Sequence, residues 1–336
     1  MQTFDEQRIA HIKDLLEVKQ KVVIVAHKSP DGDSIGSSVG LYHYLQKKGV
    51  EVTICHPDPA PYFLQWMNGT ETILNAEEQR ELTFQKIKEA TILFCLDFNT
   101  LNRTGILEQA LMEASATKIM IDHHLYPGNG FDYTFSEVAS CSTAQLITDF
   151  IHAMGDDELL DENIGNALYC GIMTDSGSFR FPSVTSHTHI VIARLMEHGV
   201  KPHMIHEAVY DTNSFEKLQL WAFAIDQKTE VLEKHKTILI TLSQNELEKY
   251  HYTKGDTEGL VNEGLSITGI KKSIFLMEQD GIIKISFRSK GEDNPVNTMA
   301  SKYFQGGGHL NAAGGKWVGN MADAIAKIKD VLPEFD

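Results

Sequence analysis

Apolar residues fall along the first half of the chain in short β-branched runs separated by helix-spaced patterns. Residues 22–26 read as a buried strand, and 34–48 place Ile35, Val39, Tyr42 and Leu45 at helical spacing, which makes a strand–helix unit. Further runs at 51–55, 92–96 and 118–121 alternate with helical patterns, so the spacing predicts an α/β fold with a doubly wound, mainly parallel sheet. From 142 to 208 the pattern is helical, broken at Gly155, at 177–182 and at 199–202, and a helix over 214–228 reads as a connector. Beyond it, 237–242, 273–278 and 282–287 are strand-like, with Gln279-Asp280-Gly281 as a hairpin signal. A smaller mixed α/β domain is therefore expected. The division is 1–195 for a first domain, 196–230 for a helical connector and 231–336 for the second domain.

Charge narrows the partners. The formal net charge is −16, which is wrong for a protein that coats long nucleic acid or long duplex. Residues 1–230 hold 17 Lys or Arg against 32 Asp or Glu, whereas 231–336 hold 13 against 14, so the acidity belongs to the first domain. The four cysteines lack any CxxC pair and read as reduced and buried. No apolar run approaches the roughly 20 residues that span a bilayer. A soluble, cytoplasmic protein with no membrane association is expected.

Chemistry concentrates where apolar runs stop. After the first strand, His27-Lys-Ser-Pro-Asp31-Gly-Asp33 sets an imidazole and two carboxylates within seven residues, with Gly32 permitting the turn and a helix start just beyond. Alone, Asp-Gly-Asp-Ser is equally an ordinary turn and helix cap. The pattern recurs, however: 92–96 run straight into Asp97, and 118–121 into Asp122-His123-His124. In a parallel sheet those ends share one edge, so these groups can meet in one crevice. Asp175, bounded by small residues, suits a ligand beside a close turn.

His-x3-Asp-Gly-Asp, the strand-terminal Asp97, Asp122-His123-His124, Thr174-Asp-Ser-Gly177 and Gly306-Gly-Gly-His309 stand in an order that resembles the DHH phosphoesterase family with its GGGH-type associated domain. The length is similar to the branch that degrades very short RNA and dephosphorylates 3′-phosphoadenosine 5′-phosphate. The resemblance implies a centre of two divalent ions, Mn²⁺ in preference to Mg²⁺. His27 and Asp31 would hold one, Asp33, His123 and Asp175 the other, and Asp97 would bridge them. Such a pair supplies a nucleophile at neutral pH. Asp122 is expected to orient an imidazole, His124 and Arg103 to meet the phosphoryl group, and Arg288, Gly306, Gly307, Gly308 and His309 to bind substrate. Asp97, His123, His124, Asp122 and Arg103 are thus the expected catalytic set.

Substrates expected on this basis are short oligonucleotides and nucleoside 3′,5′-bisphosphates. Alternatives are a cyclic or linear dinucleotide phosphodiesterase of the same chemistry, or a non-catalytic nucleotide-binding regulator, which the intact ligand set disfavours. A homodimer is left open. His43, His56, His187, His189, His203 and His206 read as structural or exposed, and Trp221 and Phe223 as helix packing.

Overall fold

The apolar runs of the first half lie side by side in the computed structural model, which describes residues 3–18, 20–279 and 281–336. β1 (Lys21–Val25), β2 (Glu51–His56), β3 (Leu74–Asn75), β4 (Ile92–Leu96), β5 (Thr117–Asp122) and β6 (Tyr133–Ser136) form one sheet in the order β3-β2-β1-β4-β5-β6. Every pair in it is parallel. Alternate residues of a strand enter different apolar layers: Val22 and Ile24 join one, Val23 and Val25 the other. Both faces are therefore covered, which is why these strands read as continuous apolar runs.

One layer is built from α1 (Glu6–Glu17), α2 (Gly32–Lys47), α5 (Thr143–Ala153), α6 (Glu162–Asp175), α7 (Ser186–Glu197) and α8 (Pro202–Tyr210). The opposite layer holds α3 (Arg80–Glu89) and α4 (Glu108–Glu113). Chain order reverses between β1 and β4, and a crevice opens at the carboxyl ends of strands at such a reversal.

Two glycines set how closely α2 meets α6. A Cβ on Gly36 would fall 2.4 Å from the Ala167 carbonyl oxygen, and one on Gly32 would fall 2.2 Å from Thr174 Oγ1. Only backbone without a side chain fits there. The first turn of α2 consequently lies against the last turn of α6, and Asp33 approaches Asp175.

The described residues up to Thr212 form one compact unit and Asn213–Asp336 a second. The second unit runs α9 (Phe215–Gln227), β7 (Thr229–Leu232), β8 (Thr237–Leu242), α10 (Gln244–Lys249), α11 (Leu260–Ser266), β9 (Lys272–Gln279), β10 (Ile282–Ser289), α12 (Asn297–Tyr303), β11 (Gly307–His309), β12 (Ala312–Trp317) and α13 (Met321–Val331). Its sheet has the order β11-β12-β10-β9-β8-β7 and is mixed, with β8 and β9 parallel and the other pairs antiparallel. Apolar layers again cover both faces, α9 to α11 on one and α12 with α13 on the other. β9 and β10 pair as the hairpin signal predicts, while Asp280 of that turn lies outside the described residues.

All four cysteines are free and buried. Among the described residues no helix is long and apolar enough to cross a membrane. Histidines expected to be structural have local partners: His43 Nε2 lies 2.7 Å from the Asn68 carbonyl, His187 Nε2 2.8 Å from Asp149, and His56 Nε2 3.0 Å from Ser38 Oγ.

Candidate metal centre

The loop after β1 is fixed by its own polar groups. Asp31 is the N-cap of α2, its Oδ1 accepting from the backbone N–H groups of Asp33 and Ser34, and the Ser34 hydroxyl in turn accepts from the Asp31 N–H. Asp31 therefore caps the helix with one oxygen and keeps the other, Oδ2, 3.7 Å from His27 Nε2. Lys28 N–H donates to the Arg103 carbonyl at 2.8 Å, which ties this loop to the one after β4. Ser29 adopts a positive φ of 57°, and its N–H is gripped by the buried carboxylate of Asp58.

Asp97 directly follows β4 and takes a φ of 63°, a left-handed conformation uncommon outside glycine. Its Oδ2 lies 3.3 Å from His27 Nε2, and its Oδ1 lies 3.6 Å from His123 Nε2. One carboxylate thus faces two imidazoles with different oxygens. His123 Nε2 also stands 3.7 Å from Asp33 and 3.4 Å from Asp175, the last residue of α6.

The imidazole tautomers follow from their outer contacts. His27 Nδ1 is 2.8 Å from the Lys28 carbonyl and His123 Nδ1 is 3.2 Å from the Ser140 carbonyl. A carbonyl only accepts, so Nδ1 carries the proton of each ring when neutral and Nε2 is the nitrogen turned inward. His124 differs: its Nδ1 meets Asp122 Oδ1 at 2.7 Å, while Asp122 Oδ2 is buried without a hydrogen-bond partner among the described residues.

Within the first unit, ligand atoms within 4.8 Å of one another define three groups among the described residues: His27, Asp31 and Asp97; Asp33, His123 and Asp175; and Asp97, Asp122 and His124. The electrostatics ask for a cation. Burial and the nearby carboxylates of Asp97, Asp175 and Asp31 push Asp33 well above the usual carboxylate range. Burial pulls His27 down, but the Asp31 and Asp97 carboxylates lift it to about 10; His123 is lowered, chiefly by burial. Hard oxygen donors with inward imidazole nitrogens, and no thiolate, fit divalent ions such as Mn²⁺ or Mg²⁺.

Three contributors carried no signal in the sequence reading. Thr143 N–H and Ala144 N–H, at the start of α5, donate to the two oxygens of Asp33 at 2.6 and 2.8 Å, and Thr143 Oγ1 donates to Asp97 at 3.0 Å. Asp58 is the third. Backbone donors leave no trace in residue type, although Ser142-Thr143 ahead of an apolar periodic run is a helix-start signature. Arg103 is half-buried in the turn after β4.

In the second unit, Arg288 of β10 is abreast of Ala312 of β12, and Ala312 is abreast of His309 of β11. Arg288 and His309 share one row, two strand spacings apart, about 9–10 Å. Gly307–His309 of the GGGH segment are strand rather than bare loop. A Cβ on Gly306 would fall 1.9 Å from the Gly314 carbonyl oxygen, whereas nothing lies within 4 Å of one on Gly307, whose outer side is open.

The DHH family N-terminal domain model matches residues 21–172, and the DHHA1 domain model matches 235–334. The bifunctional oligoribonuclease and PAP phosphatase NrnA of Thermus thermophilus is 29% identical over 95% of this chain and 91% of its own. The Bacillus subtilis protein of the same name is 26% identical over 87% and 88%. A crystal structure of an exopolyphosphatase-related protein from Bacteroides fragilis superposes with a TM-score of 0.93 at 38% identity, covering 97% of this chain and 96% of that one. With the strand-end acids and imidazoles gathered at the sheet's switch point, and the glycine-rich strand in a separate mixed sheet, the chain belongs to the DHH family of phosphoesterases and carries its DHHA1 domain.

Proposed function

We propose that this chain is a divalent-cation-dependent phosphoesterase that cleaves very short oligoribonucleotides to mononucleotides and removes the 3′-phosphate of 3′-phosphoadenosine 5′-phosphate. The observation that carries the reading is Asp97, with Oδ2 facing His27 and Oδ1 facing His123. His27 and Asp31 would hold one ion, Asp33, His123 and Asp175 the other, with Asp97 common to both; Mn²⁺ is preferred over Mg²⁺. When bound, the ions would supply a nucleophile at neutral pH and neutralise charge on phosphoryl oxygens.

The chain's own groups divide the remaining work. The carbonyls of Lys28 and Ser140 take the Nδ1–H of His27 and His123, so that Nε2 of each neutral ring is the nitrogen offered to a cation. Asp122 holds His124 Nδ1–H, so that Nε2 of His124 is aimed by a buried carboxylate toward the phosphoryl oxygens. Arg103 balances charge there. In residues 231–336, the N–H groups of Gly306, Gly307 and Gly308, with Arg288 and His309, would bind the phosphate and sugar of the nucleotide. The names of the Thermus and Bacillus relatives support both substrate classes.

Product analysis tests this directly. The purified chain is incubated with Mn²⁺ and, in separate arms, a two- to seven-residue RNA ladder, 3′-phosphoadenosine 5′-phosphate and a cyclic dinucleotide. Mononucleotides from the shortest RNAs, and AMP plus phosphate from the bisphosphate, are expected. Turnover of the cyclic dinucleotide alone, or binding without any product, would overturn the reading.

A further inference from the structure

Asp175 ends α6, and the chain reverses at once through a turn in which two consecutive non-glycine residues, Ser178 and Phe179, have φ of 58° and 63°. Left-handed backbone is unfavourable for L-residues, and such strain persists only where the surroundings impose it. Local bonds close the turn: Ser178 N–H donates to the Met173 carbonyl at 2.7 Å, and Phe179 N–H to Ser176 Oγ at 3.0 Å. The non-local restraint comes from α8. His206 Nδ1 is 2.8 Å from the Pro202 carbonyl, which fixes its proton there, and Nε2 then accepts from the Ser178 hydroxyl at 3.0 Å. Tyr169 packs against both sides of this bond, with ring centroids 5.7 Å from Phe179 and 6.1 Å from His206.

We propose that the Ser178–His206 hydrogen bond is a positioning latch: it holds the strained turn closed and thereby keeps the Asp175 carboxylate 3.4 Å from His123 Nε2. The inference rests on the reading of Asp33, His123 and Asp175 as one ion site, and it assigns His206 and Ser178 to that site alone. His27, Asp31 and Asp97 reach their positions through the β1 and β4 loops and are independent of the turn.

The test is calorimetric titration of metal-free full-length chain with Mn²⁺ alone, with thermal unfolding in chelator as the folding control. Ser178→Ala and His206→Phe should weaken one of the two ion sites by roughly ten- to a hundredfold and leave the other within about twofold. Ser178→Gly removes the bond together with the strain at residue 178, leaving only that at Phe179, so it should recover part of the loss, a rescue that a merely structural contact does not give. Equal weakening of both sites, or no change at either in variants with native unfolding midpoints, would overturn the latch. If the unsubstituted chain binds no Mn²⁺, the metal-centre reading fails with it; if it binds two and both variants match it, only the latch fails.

Discussion

Thr143 donates its hydroxyl to Oδ1 of Asp97 across 3.0 Å while its backbone N–H donates to Oδ2 of Asp33 across 2.6 Å. One residue at the start of α5 therefore grips a carboxylate from each of the two main ligand groups. Thr143→Val keeps the shape and the N–H and deletes only the bond to Asp97. Metal affinity should fall by roughly ten- to a hundredfold, and Thr143→Ser should restore it. A Val variant that binds Mn²⁺ as tightly as the unsubstituted chain would remove Thr143 from the site.

The α2–α6 contact gives a stability prediction. Gly36→Ala places a methyl group 2.4 Å from the Ala167 carbonyl oxygen, where backbone, not a mobile side chain, must yield. Overpacking of this kind costs about 1–3 kcal/mol. Denaturant unfolding followed by a probe in the first unit measures it, and an unchanged midpoint would contradict the packing described.

Much of the centre was legible because each strand of the parallel sheet ends where its apolar run ends. Val22 to Val25, Ile92 to Leu96 and Ile119 to Ile121 define three neighbouring strands, and parallel register places His27, Asp97 and Asp122-His123-His124 at one edge. Short or edge elements were not legible: β6 has four residues, and α1 shows its buried Ile9, Ile12 and Leu16 only against a charged background. The glycine run of β11 carries no apolar alternation, so its pairing with β12 depends on the close backbone approach that Gly306 and Gly308 allow. Thr143, Ser140 and Lys28 act largely through backbone atoms, which composition does not mark.

Burial pushes Cys55, Cys95, Cys141 and Cys170 up to about 12. The thiolate is the reactive form, so at pH 8 none of the four should react with an aromatic disulfide in the folded chain, and all four should after denaturation. Rapid labelling of any one in the native state would refute its burial.

His56 sets an acid limit. Burial, aided by the charge of His27 and opposed by Asp58, lowers it to about 3, against 6.5 when unfolded. The unfolded chain takes the proton first, so this contribution to stability is whole above pH 6.5 and is lost as pH falls from 6.5 toward 3, by up to about 1.4 kcal/mol per unit. His27 acts in the opposite window: raised to about 10, it favours the metal-free fold below pH 6.5 and loses that contribution as pH rises toward 10. Denaturant midpoints from pH 7 to 4.5 should decline less steeply in His56→Gln than in the unsubstituted chain; identical slopes would exclude His56 as the cause.

The most direct measurement counts Mn²⁺ ions bound per chain in the unsubstituted protein and in Asp97→Asn. Two ions are predicted for the former, and at most one at the same free Mn²⁺ for the variant, because the shared carboxylate is gone. Two ions held with equal affinity by both proteins would contradict the shared centre.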